Sequence, residues 1–263
     1  MWRPHPNEVE VACKQVAVRQ VVAALTVTPG RRPRDLPTAL DPLARHIAPF
    51  EETSVEIVYP QYGGLTLDRR QASVMIVLDL TGIAKGADET TSTSMTLDVR
   101  LRRTKGWQVQ EVLIPRAAQR STQIGAEVQA LLTSDRVELP QMARLDLASN
   151  RIAPQLVEVI EGLSRRWTLG VQVLRTGHPK NVFNTDRLSN HTRGRAVDIW
   201  ALNGIPVIAH DRSDWKRAMQ VAAELGADEV GGPVDIPGTA YFSDAVHQDH
   251  LHVGIEEVKS SAR

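Results

Sequence analysis

Cysteine is nearly missing from this chain of 263 residues, where Cys13 stands alone. One thiol excludes an intramolecular disulfide and a cysteine-rich zinc site, and it leaves the redox compartment open. Net charge is missing too. Thirty-one Lys and Arg balance thirty-one Asp and Glu, so no global field draws the protein toward nucleic acid or an anionic membrane. Long hydrophobic runs are also lacking. Near the start the longest is Val21 to Val27, far short of the about 20 apolar residues a membrane span needs. Met1 to Glu8 lack the basic-then-apolar pattern of a secretory signal. No internal repeat or low-complexity tract supports a solenoid or a linker protein.

What is present is the composition of a folded chain, 42% hydrophobic and 24% charged, with room for one large domain or two ordinary ones of roughly 100–200 residues. Val9, Val16, Val18, Val21 and Val22 form an apolar-spaced segment ended by the breaker cluster Thr28-Pro29-Gly30-Arg31-Arg32-Pro33. Val55, Ile57 and Tyr59 alternate, residues 73–80 are almost continuously apolar, and Met95, Leu97, Val99 and Leu101 recur at period two. These features predict an antiparallel meander over 53–114, packed on N-terminal helices. Ile124, Val128 and Leu131, then Leu156, Val159, Ile160 and Leu163, follow helical spacing. Beyond residue 168, strands are expected at 169–173, 196–201 and 251–255, a helix from Trp215 closed by Gly226, and a turn at Gly231-Gly232-Pro233. The fold class is therefore α+β: an N-terminal α+β domain over 1–115, a helical linker over 116–135 and a second domain over 136–263.

Six of the eight histidines fall between His178 and His252, three of them in His247-Gln248-Asp249-His250-Leu251-His252. In a strand, His250 and His252 share one face while Leu251, Val253 and Ile255 share the other. Upstream, Ser189-Asn190-His191-Thr192-Arg193-Gly194-Arg195-Ala196-Val197-Asp198 places a carboxylate inside an apolar strand. Burying Asp198 is costly unless it is neutral, hydrogen-bonded, paired or metal-bound. Together His191, Asp198 and His252 supply two imidazoles and one carboxylate. That set suits Zn²⁺ and leaves one tetrahedral position for water, whose pKa the ion lowers toward ~7. A fourth ligand such as His247, Asp249 or His250 would instead close the site into a structural one. Charge is also polarised: residues 165–195 carry seven Lys or Arg against Asp186 alone, whereas 221–257 carry eight acids and no Lys or Arg.

The Ser-x-His-x-x-Gly-x-Ala-x-Asp pattern at Ser189 to Asp198, followed by His-x-His at His250 to His252, resembles the zinc-dependent D-Ala-D-Ala carboxypeptidases and related peptidoglycan peptidases. That group shares its fold with lysostaphin-like endopeptidases and the Hedgehog signalling domain. The resemblance covers residues 165–257 only. It implies a Hedgehog/DD-peptidase-like C-terminal domain with His191, Asp198 and His252 as zinc ligands and Ser189 at a substrate-contacting position. Many members carry Glu three residues before the last ligand, where this chain has Asp249. The general base is accordingly expected to be Asp249 or His250. Family members often have an Arg after a Ser-Gly turn, whereas here Arg175 precedes the turn at Thr176-Gly177. Arg175, Arg193 and Arg195 are the candidates to hold a substrate carboxylate.

The implied activity is zinc-dependent hydrolysis of a peptide bond in peptidoglycan stem peptides, by carboxypeptidase or endopeptidase action. Its partner is the stem peptide or another peptide, with no nucleic acid and no membrane span. The resemblance also implies an extracytoplasmic, cell-wall location, although no signal peptide is visible. The alternative is a non-catalytic zinc-containing recognition module for cell wall or protein.

Overall fold

A computed structural model describes residues 2–30, 33 and 36–256. Arg31 and Arg32 of the breaker cluster, and residues 257–263 of the expected second domain, lie outside the described residues.

The first lobe begins with helix α1 (Val11–Leu25) and the short α2 (Asp41–His46). Strands β1 (Phe50–Leu65), β2 (Gln71–Ala84), β3 (Thr90–Arg103) and β4 (Trp107–Leu113) follow and pair antiparallel in sequence order. The apolar face of α1, carrying Cys13, Ala17, Val18, Val21, Ala24 and Leu25, packs on Val74, Ile76, Leu78, Leu97, Val99 and Leu101 of the sheet. A helical stripe against the inner positions of a half-buried sheet produces this arrangement.

The second lobe contains α3 (Ala126–Thr133), β5 (Val137–Glu138), α4 (Gln141–Ala148), α5 (Pro154–Ser164), β6 (Leu169–Val173), β7 (Ala196–Leu202), β8 (Ile205–Pro206), α6 (Trp215–Glu224), β9 (Glu229–Gly231), β10 (Tyr241–Phe242) and β11 (Leu251–Gly254). Its mixed sheet runs β10-β9-β11-β7-β6-β5, with β8 beside β7. Helices and antiparallel or mixed sheets make the chain α+β. The segment expected as a helical linker packs with this lobe, because α3 buries Leu131 and Leu132 in the same cluster as Leu156, Ile160, Leu163, Val197 and Leu251. Gly231 lies in β9 rather than in a turn, paired with His252 across the sheet. Asp214 precedes α6 without a side-chain capping bond, its carboxylate accepting instead from Trp167 Nε1 at 3.1 Å.

The lobes meet along β1. Tyr59 stacks on Trp200 with ring centroids 4.8 Å apart, and Gln172 Nε2 donates to the carbonyls of Tyr59 and Met75 at 3.1 and 3.3 Å. Phe183 lies so close over Gly64 that a Cβ there would fall 2.1 Å from its Cγ. Only glycine admits that approach.

Candidate metal centre

Two neighbouring antiparallel strands bring Asp198 and His252 together, because β11 pairs with β7 in the register that sets these residues directly opposite. Cross-strand partners project on one face and touch. His191 comes from the turn before β7, at a single helical turn spanning His191–Arg193. Two local features fix that turn. The backbone N–H of His191 donates to Ser189 Oγ at 3.2 Å. Gly194 adopts φ 70°, and a Cβ there would lie 1.8 Å from the carbonyl oxygen of Arg151.

Three atoms converge. His191 Nε2 and His252 Nδ1 each lie 3.1 Å from Asp198 Oδ1, and 3.2 Å from each other. The far ring nitrogens have partners of their own: His191 Nδ1 donates to the Leu174 carbonyl at 2.6 Å, and His252 Nε2 lies 3.4 Å from Glu229 Oε2. With those nitrogens carrying hydrogen, the inward ones present lone pairs, as metal-bound histidines do when a carbonyl or carboxylate holds the other N–H. Three acceptors at such separations need a cation or a proton among them. Tetrahedral zinc with bonds of about 2.0–2.1 Å spaces its ligand atoms by about 3.3–3.4 Å, so the donor set fits such an ion.

A proton is the alternative occupant of the triangle, and the charges place it on His252. Burial would raise the Asp198 carboxyl, but the imidazoles of His191, His250 and His252 outweigh it and hold it well below the usual range. Burial likewise pulls His252 down, yet its hydrogen bonds to Asp198 and Glu229 push it up to about 9. Glu229 falls to about 2, chiefly through the hydrogen bond from His252.

A second donor group overlaps the first. Ligand atoms of His178, His191 and Asp198 all lie within 4.8 Å of one another, and this group could hold a metal ion. His178, however, stacks nearly parallel on His191, with centroids 3.9 Å apart at 14°, and burial drives its imidazole well below the ordinary value. Its ring covers the face of His191, whereas His252 closes the tighter triangle.

Asp249 and His250 take different places. His250 Nδ1 meets Asp249 Oδ1 at 2.5 Å, leaving His250 Nε2 on the inner side, 3.8 Å from Asp198 Oδ1. The other oxygen of Asp249 accepts from Lys14 Nζ at 2.5 Å and from the Tyr62 backbone N–H at 3.3 Å. Both Asp249 oxygens are therefore engaged behind His250. Lys14, on α1, is fully buried and also pairs with Glu8. Gln61, on β1, donates from Nε2 to Asp198 Oδ2 at 2.6 Å.

Above these residues opens a cavity of about 370 Å³ lined from both lobes, including Tyr62, Gly64, Phe183, Ser189, Phe242 and His250. Arg187 lines it, 3.8 Å from Glu229. Arg175 and Arg193 do not: the Arg175 guanidinium ties the loop by donating to the Thr192 carbonyl at 3.0 Å, and Arg193 is exposed outside the cavity. Ser189 both lines the cavity and caps the His191 turn. Sequence reasoning missed Lys14, Gln61, His178, Arg187 and Glu229. Lys14 left a signal, since it occupies the apolar stripe of Ala17, Val18 and Val21 at helical spacing.

No family model and no curated protein sequence matches the chain. Among solved structures, the intermembrane space region of the chloroplast protein ARC6 is 13% identical with a TM-score of 0.23, covering 41% of this chain and 88% of that one. No helix among the described residues is long and apolar enough to cross a membrane.

Proposed function

We propose that the chain is a zinc-dependent peptidase acting on a short peptide of the peptidoglycan stem type, with a second lobe of the Hedgehog/DD-peptidase kind. The observation that carries this reading is the triangle of His191 Nε2, Asp198 Oδ1 and His252 Nδ1 on the floor of a cavity that His250 also lines. The stem-peptide substrate comes from the motif resemblance.

In this reading His191, Asp198 and His252 hold the ion. Bound zinc supplies Lewis acidity, polarising a scissile carbonyl and acidifying water. His250 is the proton carrier. Its Nδ1–H is held by Asp249, so Nε2 keeps a lone pair toward the cavity, takes a proton from the attacking water and delivers it to the leaving amine. Asp249 orients the ring and offsets the imidazolium charge. Ser189 and Arg187 are placed to contact the peptide from the cavity wall, Arg187 through charge-assisted hydrogen bonds to a carboxylate.

The test has two readouts. Metal analysis of the purified protein should give one zinc per chain, and His252→Ala should lose both zinc and cleavage of cell-wall muropeptides. Full zinc retention by His252→Ala sinks the ligand set. Zinc-loaded wild type that cleaves nothing across a broad muropeptide panel sinks the peptidase reading and leaves a recognition module.

A further inference from the structure

We infer that Gln61 of the first lobe is a positioning residue of the metal centre: it fixes Asp198 Oδ2 so that Oδ1 alone faces the ion, making the two lobes one functional unit. This rests on the metal reading of the site given above.

Gln61 lies on β1, opposite Met75 of β2, and is fully buried. Its side-chain hydrogen bond runs across the lobe boundary from Nε2 to Asp198 Oδ2 at 2.6 Å, spanning 137 positions of sequence. The amide must donate, because an ionised carboxylate only accepts. The other end of the side chain, Oε1, is buried without a hydrogen-bond partner among the described residues. A buried amide left half satisfied is a cost that a leucine at the same place would not carry. What the amide does accomplish is to occupy one lone-pair site of a carboxylate whose other oxygen touches both imidazoles.

A carboxylate held in this way has restricted rotation. With Oδ2 tied back, Asp198 offers one oxygen and cannot swing into a two-oxygen grip. Groups that hold the far side of a ligand orient it and tune its basicity, and removing them typically weakens metal binding about 10- to 100-fold. The first lobe supports the centre at a second point as well. Lys14 and the Tyr62 backbone N–H hold Asp249, which holds His250. The same stretch of β1 that carries Gln61 thus supports both the ligand and the residue beside it.

The experiment measures zinc affinity of the full chain by competition with a chromophoric chelator, and the visible spectrum of the cobalt-loaded protein, for wild type, Gln61→Leu and Gln61→Asn. Asparagine falls one methylene short of Asp198 while keeping an amide at the position, so it serves if leucine prevents folding. Gln172→Leu is the control, because Gln172 is a buried glutamine at the same lobe boundary whose side chain bonds, among the described residues, to the Tyr59 and Met75 carbonyls and not to the site. The expected result is a loss of about 10- to 100-fold in zinc affinity for the Gln61 variants, with an altered cobalt spectrum, and neither change in Gln172→Leu. Wild-type affinity and spectrum in the Gln61 variants overturn the inference while leaving the metal reading standing. An equal loss in Gln172→Leu also overturns it, since general lobe packing then explains the effect. Wild type that binds no zinc overturns both.

Discussion

Lys14 and Asp249 stand 235 positions apart in sequence, yet their charged atoms meet at 2.5 Å in an ion pair with almost no solvent access. Breaking a buried pair from one side strands the remaining charge, at a cost of about 3–5 kcal/mol. Lys14→Met should therefore lower unfolding stability in denaturant titration by that order. Adding Asp249→Asn should recover part of the loss, because an amide needs no counter-charge. A double variant no more stable than Lys14→Met would refute the pairing as the cause.

The arrangement of Asp249 behind His250 separates their roles. His250→Ala should lower kcat by about 10²–10⁴-fold with zinc content kept. Asp249→Asn should also lower kcat, because an amide can donate to Nδ1 and leave the hydrogen on Nε2, the wrong tautomer for accepting a proton. Steady-state kinetics on a cleavable muropeptide decides the matter. Undiminished turnover in His250→Ala means that another group carries the proton.

Glu8 shares Lys14 with Asp249, and two carboxylates beside one ammonium leave a surplus negative charge. Burial is the main force on Glu8, pushing its carboxyl from 4.5 up to about 7, against the pull of Lys14 and with the help of Asp249. Between those values the folded chain binds more protons at this site than the unfolded chain does. Stability from Glu8 is thus complete below pH 4.5 and declines as pH rises through about 7. Asp249 is shifted downward, by Lys14 and His250 against its burial, so its own titration falls below this window. Thermal unfolding across pH 4.5–7 should show a declining contribution in wild type that Glu8→Gln removes. Parallel pH profiles for the two proteins would disprove the assignment.

Gly194 joins the segments that carry His191 and Asp198 in a left-handed conformation, with backbone where a side chain would go. Gly194→Ala should cost at least about 1–3 kcal/mol from the backbone conformation alone, and more because the Arg151 carbonyl must shift. The displaced turn carries His191, so zinc affinity should fall with stability. A calorimetric melt at the wild-type temperature would contradict this account.

Period-two patterning made β3 legible from the sequence, and strict local pairing placed its neighbours. The convergence of His191, Asp198 and His252 could be anticipated because a carboxylate inside Ala196-Val197-Asp198-Ile199 has few affordable environments. Other parts depended on contacts that no local pattern encodes. Gln61 reads as an ordinary polar strand residue until a second lobe is laid over it. Strand alternation puts His250 on the face of His252, but that Asp249 stands behind it as the partner of Lys14 shows only once the first lobe is in place. Among the arginines, the family resemblance suggested Arg175, and position beside the His191 loop suggested Arg193 and Arg195, but it is Arg187 that lines the cavity wall.

The first sheet closes by hairpins between consecutive strands, whereas the second interleaves early and late segments, β11 lying between β7 and β9. During synthesis, Lys14 and Gln61 emerge long before Asp249 and Asp198, which they hold. The triangle of donor atoms comes into being only when His252, nearly the final part of the described chain, has left the ribosome and slotted between strands already made. Until that moment the triangle is incomplete, so any cation it holds in the proposed reading would be acquired late in folding.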